Sequence, residues 1–156
     1  MSSILNTYLE TLAVTEGIAP SIKILDRIFA TDQPVPEKEI VDIERKLKVK
    51  LHKDYRALIQ RYGFLTDEYE YNRSNDIAGA GALEQQENVV FLNNSILKDY
   101  KKKLKKDMIF ISYENQLEKL MILSNNTGVI WATDYWARGL RKMFPDINAL
   151  VKRFYG

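Results

Sequence analysis

The stretch VPEKEIVDIERKLKVKLHKDYRALIQRYG, residues 35–63, decides the fold of this chain. Its apolar residues recur at intervals of three and four, which predicts two consecutive amphipathic helices with a hinge at residues 49–53. The apolar positions are Ile40, Ile43, Leu47 and Leu51 in the first helix and its exit, and Tyr55, Leu58, Ile59 and Tyr62 in the second. Glu37 and Glu39 favour the positive end of the first helix, and Gly63 is suited to end the second.

The composition limits the function classes. A chain of 156 residues with 46% hydrophobic and 28% charged residues suits one globular domain. It has no cysteine, which excludes disulfides, thiolate nucleophiles and thiolate metal sites. The net charge of +2 is too small to indicate a polyanionic partner. We see neither a secretory signal nor a run of about 20 apolar residues, and we expect a cytoplasmic protein with no membrane segment.

Residues 1–33 are predicted to form a helical N-terminal extension to a domain at 34–156. Apolar residues lie on one helical face over residues 4–12. A second helical stretch is predicted from Ser21, with Ile22, Leu25, Ile28 and Phe29 on one side. Pro34 and Pro36 then oppose helix continuation and separate the extension from the domain.

Beyond Gly63 the pattern changes to strands. Gly79 and Gly81 indicate a bulge or a close backbone approach, and a helix is predicted over residues 94–106. MIFISY, LEKLMILS and VIWATDYW predict three antiparallel strands, the last two joined by the turn SNNTG. A final helix is predicted from the spacing of Phe144, Ile147, Leu150, Val151 and Phe154. We therefore predict an α+β fold in which helices pack against a central, mostly antiparallel sheet, with a C-terminal helix.

The sequence contains no pattern typical of an active site. The single histidine, His52, lies in the hinge, and no serine or aspartate stands at the spacing of a triad. GAGAL at 79–83 lacks both the full GxGxxG pattern and the Lys-Ser/Thr of a phosphate-binding loop. We therefore predict no catalytic residue, no metal site and no cofactor, and a protein that is not an enzyme.

The basic run KDYKKKLKK at residues 98–106 is interpreted as a solvated face. Tyr100 and Leu104 stand four apart and suit one narrow packing stripe, while the lysines remain in water. Nucleic-acid binding would also call for arginines and stacking aromatic rings, and the run has one Tyr and no Arg. Nucleic acid is therefore the less favoured partner.

The acidic, tyrosine-rich residues after Gly63 are the candidate contact site. The core of this site is Asp67, Glu68, Tyr69, Glu70 and Tyr71, with Asp76, Asp134 and Trp136 as outer candidates. Carboxylates steer a basic partner and tyrosines supply contact area, so the pattern suits a protein interface. Two alternatives stay open: the acidic residues form a plain hydrophilic loop, and Trp131 and Trp136 belong to the core.

The ordered motifs resemble the Smi1/Knr4 domain of the SUKH superfamily. The resemblance lies in I-E-x-x-L-x-x-x-L-x-x-D-Y-x-x-L-I-x-x-Y-G at 43–63, I-A-G-x-G-x-L at 77–83, MIFISY, TGVIWATD and FPDINALVKRF. It covers roughly residues 35–156. Two positions depart from it: the family often has Gly where Lys48 stands and Pro where His52 stands.

The resemblance implies an α+β domain that binds a protein without catalysis. Many bacterial members resemble immunity proteins, which neutralise a cognate toxin, often a nuclease, from neighbouring cells. The implied partner is thus a protein toxin, with a nuclease domain as one candidate. The alternative implied function is a regulatory or scaffold domain that binds an endogenous protein.

Overall fold

The computed structural model describes residues 23–25, 28–30, 34–67, 76–81, 83–114, 119–134 and 139–155. In chain order the elements are β1 (Lys23–Leu25), β2 (Ile28–Phe29), α1 (Glu37–Leu47), α2 (Lys53–Tyr62), β3 (Thr66–Asp67), α3 (Val89–Phe91), a π-helical turn (Leu92–Ile96), α4 (Lys98–Lys101), β4 (Met108–Glu114), β5 (Lys119–Ser124), β6 (Ile130–Asp134), β7 (Arg141–Phe144) and α5 (Ile147–Tyr155). The α+β class, the antiparallel sheet and the C-terminal helix are confirmed. Within the described ranges, none of the helices is both long and apolar enough to traverse a bilayer.

Helices α1 and α2 confirm the two-helix prediction. All eight apolar positions named for them are buried in the core. Helix α1 ends at Lys48, which adopts the left-handed conformation with φ 59° and ψ 36°. Helix α2 begins at His52, whose Nδ1 accepts a hydrogen bond from the backbone N–H of Asp54 at 3.2 Å. Gly63 ends α2, donating its N–H to the carbonyl of Ile59 at 2.7 Å.

The hinge between the helices is fixed from both sides. Glu44 Oε2 accepts the backbone N–H of Leu51 at 2.9 Å, and Asn125 Oδ1 accepts that of His52 at 2.9 Å. The imidazole of His52 also packs against Gly128, where a Cβ would stand 2.7 Å from Nε2. The two-helix unit is therefore attached to the turn between β5 and β6.

The larger sheet is an antiparallel meander in the order β4-β5-β6-β7. Its first three strands and the SNNTG turn match the prediction. Ile109, Phe110 and Ile111 are all fully buried, so β4 is covered on both faces. The core accordingly lies between this sheet and the helices.

The C-terminal prediction was wrong at Phe144. This residue pairs with Ile130 in β7, and α5 begins later, with Asp146 Oδ1 accepting the N–H of Ala149 at 2.9 Å. RKMF shows no alternation of apolar and polar residues, so periodicity could not reveal an edge strand there. Pairing with β6 creates it.

The helix predicted over 94–106 was wrong in its limits and its type. The helical segment begins at Val89, passes through the π-helical turn and ends at Lys101. Asn88 starts it, with Oδ1 accepting the N–H of Phe91 at 3.0 Å. The interpretation of the lysine run is confirmed in its packing: Tyr100 and Leu104 lie against the core, while most of the lysines are exposed.

The helix predicted from Ser21 was wrong where the structure describes it, because residues 23–25 and 28–29 form strands β1 and β2. Strand β2 pairs with β3, placing Ile28 opposite Asp67 and Phe29 opposite Thr66. The spacing of these apolar residues also suits a helix, so tertiary pairing decided the outcome. The rest of the predicted extension lies outside the described residues, and its boundary at residue 33 stays a prediction.

Candidate functional site

The described residues on either side of the acidic, tyrosine-rich segment form a closed neck. At its base, Leu65 and Ile77 form an antiparallel bridge with two backbone hydrogen bonds of 3.0 and 2.8 Å. One residue further out, the hydroxyl of Thr66 donates to the carboxylate of Asp76. Leu65, Thr66, Asp76 and Ile77 are all buried. The two ends of the segment are therefore held together by the core.

The structure places the predicted contact residues in three settings. Asp67 belongs to β3, beside the neck. Asp134 ends β6 opposite Lys119, in the other sheet. Asp76 lies inside the neck with 1% of its surface exposed. The other predicted residues, which lie outside the described part of the chain, are Glu68, Tyr69, Glu70, Tyr71 and Trp136. The contact role of the whole group stays a prediction.

Asp76 joins the neck to a second surface segment. Its carboxylate accepts hydrogen bonds from Thr66 and from the side-chain amide of Gln86. Gln86 belongs to the turn at residues 83–87, whose Leu83 is 79% exposed. Sequence reasoning placed Asp76 on the surface and did not single out Gln86 or Leu83. No local pattern signals this link, since it joins residues ten positions apart.

Two glycines hold this turn close to the helices, so of the two interpretations of Gly79 and Gly81 the structure shows the close backbone approach. A Cβ on residue 79 would stand 2.0 Å from the carbonyl oxygen of Gly63, and one on residue 81 would stand 2.6 Å from the Cβ of Glu87. Ala80 donates its N–H to the carbonyl of Gly63 at 2.8 Å. The GAG segment is thus a close backbone approach that fixes the turn against the end of α2.

Tyr55 and His52 both have structural roles. Tyr55 is fully buried beneath the neck and donates its hydroxyl to the carbonyl of Ala78. Burial raises the pKa of the Tyr55 phenol far above its usual range, because the charged form would lose its hydration. His52 serves as a helix cap. The described ranges contain no group of three or more acidic, His or Cys side chains arranged to hold a metal ion.

Comparison with known families identifies the domain. The model of the SMI1/KNR4 family (SUKH-1) matches residues 34–153, well over half of the chain. The chain therefore belongs to the SMI1/KNR4 family, and the resemblance in its motifs is confirmed. No curated protein matches the sequence.

Proposed function

We propose that this chain is a non-enzymatic immunity protein that binds and neutralises a cognate bacterial toxin. The supporting observation is the closed neck, whose buried residues join the two ends of a segment that is rich in carboxylates and tyrosines. Binding loops on rigid scaffolds lose less conformational entropy when they bind. Membership of the SMI1/KNR4 family supports the same kind of function.

In this proposal Asp67, Glu68 and Glu70 attract a basic face of the toxin, and Tyr69 and Tyr71 become buried against it. Asp134 and Trp136 would extend the contact, and Asp76 would support it from inside the neck. The toxin could be a nuclease, although the net charge of +2 departs from the acidic balance usual for inhibitors of basic enzymes. The protein would act in the cytoplasm, where a delivered toxin meets its target.

The first test is co-expression with the product of the directly neighbouring gene, followed by co-purification and a toxicity assay. A toxin gene directly upstream, a stable complex and rescued growth are the expected results. A neighbour without toxicity, together with capture of a host protein as the partner, would favour a regulatory or scaffold domain instead.

A charge-reversal series tests the contact surface. The double variant Glu68→Lys/Glu70→Lys should slow association with the toxin by about tenfold at low salt and less at high salt, since exposed charges are screened. Each single reversal can be compared with Asp99→Lys, which changes the same charge on a side chain that is 81% exposed on α4. Association rates equal to that control would remove the segment from the interface.

A further inference from the structure

A groove separates α1 from the segment that follows the neck. Its volume is about 300 Å³, enough for one large side chain and its neighbours. The apolar lining residues are Ile43, Ala80, Leu83, Val90 and Phe91. The groove therefore offers an apolar floor between two separate parts of the chain.

Leu83 stands at the rim of this groove in a conformation that packing does not explain. Its side chain is 79% exposed, and the next residue, Glu84, has a φ of 64° although it is not glycine. A residue with a Cβ is strained in this left-handed conformation, which persists only where the surroundings hold it. The same turn is held by the hydrogen bond of Gln86 to Asp76 and by the close approach of Gly81 to Glu87. Leu83 adds its exposed side chain to the apolar floor of the groove, and such a joined apolar surface, unlike a single exposed leucine, marks a binding site.

The charged residues at the rim determine which charge a bound segment should carry. Asp42 forms ion pairs with Lys46, at 2.9 Å, and with Arg45. Even with Arg45 included, the three carboxylates of the groove, Glu39, Asp42 and Glu84, outnumber these two cations. Glu39 and Glu84 also line the groove, are exposed, and make no ion pair with another residue that the structure describes. The uncompensated charge at the rim is therefore negative, which favours a basic occupant.

A second hollow on the outer side of α1 shows the contrast. It has a volume of about 470 Å³ and is lined by Pro36, Lys38, Glu39, Val41, Asp42 and Arg45. Its lining has two cations, Lys38 and Arg45, and two carboxylates, Glu39 and Asp42, which it shares with the groove, so this lining has no net charge. Of these two surfaces, the groove beside Leu83 is the one whose lining is net negative.

We propose that this groove binds a basic segment of a partner protein that inserts one large apolar side chain beside Leu83. The inference rests on the binding function proposed above, since the groove would be a second contact for the same partner. Asp76 connects the two surfaces: one oxygen of its carboxylate is bonded in the neck and the other to the turn that carries Leu83.

The test uses the full chain and three short blocked peptides, with binding followed by anisotropy and by amide chemical shifts. One peptide carries a central leucine flanked by lysines, the second replaces the leucine by alanine, and the third replaces the lysines by glutamates. The first peptide should bind at least about tenfold more tightly than either of the others. Its binding should shift the amides of Glu39, Leu83 and Phe91.

Leu83→Gln should weaken binding of the first peptide by about tenfold or more, because it removes apolar contact without changing the charge of the groove. Leu140→Gln is the matched control, since Leu140 is 38% exposed outside the groove. Equal affinity for all three peptides, equal effects of the two variants, or shifts away from the groove would overturn the proposal. The toxin assay remains a separate test, so failure here is distinguishable from failure of the immunity function.

Discussion

The side chain of Asn93 pairs with the backbone of Phe110 as a neighbouring strand would. Asn93 Oδ1 accepts the N–H of Phe110 at 2.8 Å, and Asn93 Nδ2 donates to the Phe110 carbonyl at 2.8 Å. Both residues are buried, and Asn93 Nδ2 also donates to the carbonyl of Val89 at 2.9 Å. The side-chain amide of Asn93, in the π-helical turn, thus pairs with part of the edge of β4. One residue further along, Ala78 donates its N–H to the carbonyl of Ile111.

Replacing Asn93 should lower the free energy of unfolding more than most single substitutions. Asn93→Ala leaves the buried N–H and carbonyl of Phe110 without partners, so the free energy of unfolding should fall by about 3 kcal/mol. Urea denaturation provides the measurement. The control is Asn94→Ala, which loses one exposed bond to the Lys46 carbonyl and should cost less than about 1 kcal/mol. Similar losses for both variants would contradict the strand-like role of Asn93.

Lys48→Gly should stabilise the protein. Lys48 occupies the left-handed region, where a side chain with a Cβ is strained and glycine is not. The relief of strain is partly offset because glycine loses more conformational entropy on folding. We therefore expect the free energy of unfolding to rise by about 0.5–1 kcal/mol. Lys50→Gly is the control, because Lys50 is exposed and does not have a positive φ. If thermal denaturation shows no gain over that control, Lys48 is not strained.

Gly79→Ala should destabilise the fold by steric overlap alone. The new methyl group would stand 2.0 Å from the Gly63 carbonyl oxygen and 2.5 Å from Ile59 Cγ2, and neither backbone nor buried core can move freely. We expect a loss of about 3 kcal/mol. Gly139→Ala separates this effect from backbone strain, since residue 139 has a φ of 92° and open space around it. The Gly139→Ala control should lower the free energy of unfolding by about 1 kcal/mol. An equal loss for Gly79→Ala would mean that residue 79 does not lie close to the Gly63 carbonyl.

The pair Glu37–Arg56 should contribute a pH-dependent part of the stability. Arg56 donates hydrogen bonds to the Glu37 carboxylate, which lowers the pKa of that carboxyl below its ordinary value. Because the pKa is lower in the folded state, the stabilisation is present above the ordinary glutamate pKa of about 4.3 and is lost as the pH falls through the folded value.

The measurement compares the wild type with Glu37→Gln across this range. The stability difference should be largest at neutral pH and should shrink towards zero under acid conditions. Glu39→Gln is the matched control, since it removes the same charge from the first turn of α1 without breaking an ion pair among the described residues. If the stability difference between the wild type and Glu37→Gln grew on acidification, folding would not lower the pKa of Glu37.

Asp76→Ala should open the neck. It removes the acceptor of both Thr66 and Gln86, and hydrogen bonds to charged groups are worth about 1.5–3 kcal/mol each. Hydrogen exchange at the amides of Leu65 and Ile77 should therefore accelerate, since these amides bond to each other's carbonyls at the base of the neck. Gln86→Ala, which removes only the bond to the turn, should leave the exchange of these amides much closer to wild type. Unchanged exchange in the Asp76 variant would show that the neck is held by other contacts.

Much of the framework could be predicted because burial there follows local periodicity. Ile40, Ile43 and Leu47 recur along one face of a helix, and the first three strands of the larger sheet are apolar runs bounded by polar turns. The edge strand β7 and the strands β1 and β2 escaped prediction, since pairing with distant residues creates them.

The amino-acid pattern was sufficient for the family, the α+β class and the two-helix framework, because each rests on the spacing of apolar residues that must leave water. Tertiary structure alone placed Asp76 inside the neck and bonded it to Gln86, exposed Leu83 beside α1, and gave Asn93 the part of a strand. The placements of Asp76 and Asn93 depend on hydrogen bonds between buried polar groups from separate segments. A buried polar group needs partners, and only the folded chain brings those partners within hydrogen-bond distance.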